Sequence, residues 1–119
     1  MKQLHRILIT LITGSFLLLS FTGKENQLTS EKLLGFSFNY EKSEITIHVV
    51  TTGCTVKTDF AFKVNSNSIL VSRKKRDVCK AVPQAAHFTY TMKELGIDPN
   101  KLYNIKNKFI ANPNLANIP

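Results

Sequence analysis

The sequence predicts an all-β fold, a small antiparallel β-sandwich or open barrel with one disulfide and one short helical turn. Three observations carry that expectation. Between Ile45 and Met92, successive runs alternate apolar and polar residues with a period of two, the pattern of half-buried strands. Both cysteines, Cys54 and Cys79, lie inside this stretch, 25 residues apart. Helix signals are confined to one capping box, Thr91 with Glu94, which Gly96 follows almost at once. Short strands separated by turn residues, with so little helix, favour two packed layers of antiparallel sheet.

The chain opens with the three-part pattern of a secretory signal over residues 1–23: Lys2, His5 and Arg6, then the apolar run Ile7 to Phe21, then Thr22 and Gly23. The run is broken by Thr10, Thr13, Gly14 and Ser15 and falls short of the roughly 20 apolar residues that span a bilayer. A cleaved leader is therefore expected, with no permanent membrane anchor and an exported chain, either periplasmic or secreted. Losing Lys2 and Arg6 takes the formal charge from +8 to +6, so the remainder stays basic. One domain of this size buries only a modest core. In an oxidising compartment the two cysteines are expected to pair. Closing a loop of 25 residues would stabilise the fold by up to about 3.5 kcal/mol.

Residues 24–33 are polar and without periodicity, and read as a flexible lead-in. The β domain is expected over residues 34–111. In its first strand Leu34, Phe36, Phe38 and Tyr40 share one face, and Gly35, Ser37 and Asn39 the other. Glu41 to Glu44 make a connection of hairpin length, and Ile45, Ile47 and Val49 resume opposite Thr46 and His48, so these strands should pair antiparallel. Gly53 supplies a turn or bulge that aims Cys54. Phe60, Phe62 and Val64 then mark a buried face opposite Asp59, Ala61 and Lys63, and Asn65 to Ser68 turn the chain into Ile69 to Ser72. After Pro83, which cannot donate to a ladder, His87 to Met92 form the next strand. A last strand around Ile105 and Phe109 lies within Tyr103 to Ala111, and residues 112–119 read as a loose tail.

Most chemistries lack their residues. Beyond the leader the histidines are His48 and His87, both on outer strand faces; with Asp59 they would make a poor metal site, so no metal and no cofactor is expected. No serine sits in a Gly-x-Ser-x-Gly turn, and Gly35, Gly53 and Gly96 are isolated rather than grouped into a phosphate-cradling loop. No catalytic role is expected. The dense feature is the basic run Arg73, Lys74, Lys75 and Arg76, which would attract an anionic polymer or surface but equally suits a solvated hairpin end.

Gly53-Cys54, Lys57, Asp59-Phe60, Arg73, Asp77, Cys79-Lys80-Ala81 and Glu94-Leu95-Gly96 together resemble small exported bacterial single-domain proteins of uncharacterised function. The resemblance covers about residues 45–97. It implies the two-cysteine β domain, implies no activity, and makes Asp59 and Arg73 expected partners beside the bridge. The functional expectation is a non-catalytic protein-binding or inhibitor-like module that uses a sheet edge or the loop around Gly53 and Pro83. The alternative is an anion-binding surface (nucleic acid, polysaccharide or anionic surface) centred on residues 73–76, and an enzyme using His48 or His87 ranks third.

Overall fold

The computed structural model describes residues 28–117; the expected leader, the first residues of the lead-in and the last two residues of the tail lie outside them. Among the described residues seven strands form two sheets. Strands β2 (Gly35–Asn39), β3 (Glu44–Thr51) and β6 (Gln84–Thr91) make an antiparallel sheet in the order β2-β3-β6. In the second sheet β5 (Ser68–Arg73) is central, with β4 (Phe60–Val64) antiparallel on one side. Its other side is shared by β1 (Thr29–Ser30), antiparallel, and β7 (Asn104–Ile105), parallel. This is the expected sandwich, with a parallel element that the sequence did not suggest.

Alternation explains how the sheets face each other. Ile45, Ile47 and Val49 project from β3 and Ile69 and Val71 from β5, and all five have no solvent exposure. They join Leu33, Phe60, Tyr90, Met92 and Ile97 in one core cluster. Along one side the layers meet through aromatic rings: Phe60 lies 5.7 Å from Phe88, and Phe62 meets Tyr90 edge-on at 4.7 Å. Such pairs add to the area they bury because ring edge and ring face carry opposite partial charge.

The capping box forms as expected and opens helix α1 (Met92–Leu95): the Thr91 hydroxyl accepts from the Glu94 N–H, and the Glu94 carboxylate accepts from the Thr91 N–H. Gly96, in the left-handed conformation, ends it.

Several expectations are corrected. The lead-in is not flexible throughout, because Thr29–Ser30 pair with β5 and Leu33 is fully buried. Asp59 is not on an outer strand face; it is buried at the end of a 3-10 turn, Lys57–Asp59, that precedes β4, and its carboxylate accepts from the Val56 N–H at 2.9 Å. β6 begins at Gln84, directly after Pro83, rather than at His87. The last strand splits into β7 and a parallel bridge between Leu33 and Phe109. Between them the buried Asn107 side chain stands in for a strand: it accepts from the Val71 N–H and donates to the Val71 and Glu31 carbonyls. The tail contains a 3-10 turn, Pro113–Leu115, after which the Ala116 carbonyl accepts from Lys32 Nζ.

Candidate functional site at the disulfide corner

Strand β3 ends at Thr51, β5 at Arg73, and β6 begins at Gln84 opposite Thr51. Their connections therefore converge at one end of the sandwich. The expected disulfide closes them: Cys54 and Cys79 are bonded, with Cα atoms 5.7 Å apart, inside the usual span for a bridge. Gly53 has φ of 116° and admits the crossing, since a Cβ there would stand 3.4 Å from that of Ala81 and 3.5 Å from that of Cys79. The Ala81 N–H donates to the Thr52 carbonyl, drawing the two segments together on the far side of the bridge.

Asp77 organises the corner. Its Oδ2 accepts from the Thr51 and Thr55 hydroxyls and from the Thr52 and Cys54 N–H groups, and Oδ1 accepts from the Cys79 N–H. Burial opposes the charge, but the donors from Thr55, Thr52, Cys54 and Cys79 outweigh it and hold the carboxyl well below the usual carboxylate range. The sequence showed Asp77 only as one residue of a resemblance; its role appears once the chain folds five donors around it.

The basic run is divided. Arg73 is not an exposed anion-binding residue: its guanidinium is held by Glu31 through Nε and Nη2, by the Thr55 hydroxyl at 2.9 Å and by the Val50 carbonyl at 3.0 Å, and it lies over the Phe60 ring. Its partner is Glu31 and not Asp59, because β1 brings Glu31 alongside β5 while Asp59 turns back to its own 3-10 turn. Lys74, Lys75 and Arg76 remain exposed, as does Lys80. Towards the other end of β6 the Tyr90 hydroxyl donates to the Lys57 carbonyl, and burial, with Glu94 and Asp59 nearby, pushes its phenol up to about 12.

Apolar side chains also stay outside at this end. Val78 is 75% and Val82 74% exposed, on either side of Cys79, and Val56 is half exposed after Cys54. Beside the loop lies a cavity of about 440 Å³ whose walls include Lys32, Thr52, Arg73, Arg76, Asp77 and Pro83. The Thr52 hydroxyl, on that wall, is buried without a hydrogen-bond partner.

His48 and His87 are adjacent, in direct register across β3 and β6 with ring centroids 4.1 Å apart, and Asp59 is not with them. Burial and the facing His87 lower the pKa of His48. Among the described residues the one group of three or more metal-binding residue types is Cys54, Asp77 and Cys79, and its sulfurs are spent in the disulfide. No described helix is long and apolar enough to cross a membrane.

Fold and corner define a class: a two-sheet β module with a covalently braced, amphipathic loop at one end. No protein-family model, curated protein or solved structure matches the chain.

Proposed function

We propose that the chain is an exported, non-catalytic binding module that docks on an acidic protein surface through the loop from Lys74 to Pro83. One observation carries the reading. Val78 and Val82 stand about three-quarters exposed on a segment whose backbone is held by the disulfide and by the donors converging on Asp77. A segment ordered before it binds loses less conformational entropy on association, which favours affinity for a given contact area. Lys74, Lys75, Arg76 and Lys80, all exposed, share the segment with the valines and give it a positive charge, so the complementary partner is acidic around an apolar depression. The bridge and the leader-like first residues support export, since disulfides persist in oxidising compartments.

The second reading, a polyanion-binding surface, is favoured by the same cations, now Lys74, Lys75 and Arg76 without Arg73. The valines separate the two. In capture from a native extract, the pair V78S and V82S should weaken protein capture at least about tenfold, or about 1.4 kcal/mol, while leaving retention on immobilised heparin or DNA unchanged. The triple variant K74Q, K75Q, R76Q should lower both and flatten their salt dependence. If the valine variants capture the same proteins as the parent, and added DNA or heparin releases them, the polyanion reading replaces the first.

A further inference from the structure

The outer face of the β2-β3-β6 sheet carries a pair of imidazoles that the corner does not use. His48 lies on the central strand, His87 directly opposite on the edge strand, and their rings approach to 4.1 Å at an interplanar angle of 32°. On the other side of His48 the register partner is Gly35, and a Cβ at that position would come within 3.3 Å of His48 Cγ and 3.4 Å of Nδ1. Glycine there leaves the His48 ring room beside β2. Next along the ladder the Thr46 and Thr89 hydroxyls bond each other at 2.9 Å, so that position is already satisfied within itself.

We propose that His48 and His87 form a two-imidazole site for a divalent transition-metal ion, with water in the remaining coordination positions. Directly opposed strand residues have Cβ atoms about 4.5–5.5 Å apart, and rotation about the ring-bearing bond can aim one nitrogen from each at a common point about 2.0–2.1 Å away. Imidazole suits Cu²⁺, Ni²⁺ and Zn²⁺, with Cu²⁺ the tightest at a given nitrogen site, and is a poor ligand for the oxygen-preferring Mg²⁺ and Ca²⁺. Both residues sit on regular, paired strands, which hold ligands more closely than loops do. Two protein ligands leave the ion open to a third donor from outside, so the site is a surface binding site and not a closed structural one.

The experiment is a titration of the oxidised full chain with CuCl₂, NiCl₂, ZnCl₂ and MgCl₂, read by calorimetry and by the imidazole proton signals in NMR. The expected result is saturable Cu²⁺ binding, weaker binding of Ni²⁺ and Zn²⁺ and none of Mg²⁺, with the His48 and His87 signals broadened together at low Cu²⁺. H87Q and H48Q should each weaken Cu²⁺ binding at least about tenfold, as even outer-shell partners of metal ligands are worth 10–100-fold. His87 is exposed, so H87Q tests the site without disturbing the core. Broadening of one ring alone, of neither ring, or an H87Q chain that binds Cu²⁺ like the parent would overturn the proposal.

Discussion

The space between the sheets and the disulfide corner are held by different forces. Between the sheets Ile45, Ile47, Val49, Ile69 and Val71 are completely withdrawn from water, and their stabilisation scales with area without regard to direction. At the corner Val56, Val78 and Val82 stay in water, and order comes from a covalent bond, the Asp77 carboxylate and the Arg73–Glu31 pair, all of which demand fixed geometry. The contrast teaches that this small domain keeps apolar side chains outside at one end because directional bonds replace the burial it forgoes there.

The largest break should come at the core. Ile47→Ala removes a fully buried side chain from the middle of β3 and should cost about 2–5 kcal/mol, read as a lower urea midpoint at an unchanged slope. A loss under about 1 kcal/mol would mean that the sheets are not where stability resides. Next, replacing Cys54 and Cys79 by serine should cost up to about 3.5 kcal/mol. In contrast to Ile47→Ala, it should free the Cys54 and Cys79 amides for hydrogen exchange while β3 and β5 stay protected. Uniform deprotection would erase the distinction between the two regions.

Arg73→Gln leaves Glu31 partly buried without its counter-charge. About 2 kcal/mol is expected, below the value for a fully buried pair because both side chains keep roughly a tenth of their exposure. By contrast Lys75→Gln, next but one in the same run, should change stability by less than about 0.5 kcal/mol, since it replaces an exposed side chain away from such features. Equal effects would contradict the division of the basic run.

One further effect is acid-dependent. Asp77 is held well below the ordinary carboxylate range, so the unfolded chain takes up its proton first; the stability Asp77 contributes is complete above about pH 4 and is lost as pH falls below it. Asp77→Asn should lower stability at pH 7 and flatten its decline between about pH 4 and pH 2. If the parent and Asp77→Asn curves ran parallel there, the corner carboxylate would not be the group responsible.

The strands that alternate cleanly were legible. β2, β3, β4 and β5 fall where Phe36, Ile45 to Val49, Phe60 to Val64 and Ile69 to Val71 announce them, and Thr91, Glu94 and Gly96 mark the helix Met92–Leu95. Of the candidate site, the Cys54–Cys79 bridge and the loop near Gly53 and Pro83 were legible because cysteine number and glycine placement are local facts. Asp59 was misplaced because its alternation with Ala61 and Lys63 looked like strand, whereas its carboxylate is taken by the Val56 N–H three residues back. Glu31 and Asn107 carried no signal, since one sits in a polar stretch without periodicity and the other in a weakly patterned one.

The sequence by itself determined which faces of the strands would be buried, because that follows from the order of neighbouring residues, and it offered Cys54 and Cys79 as the one pair of sulfurs a bridge could join. Only the tertiary structure decided that Arg73 turns inward to Glu31 across 42 residues, that Asp77 gathers the donors around the bridge, and that His48 meets His87. These pairings depend on strand order and register, which are set by how the two sheets close over a shared core, and polar groups then bond to whatever that closure brings beside them.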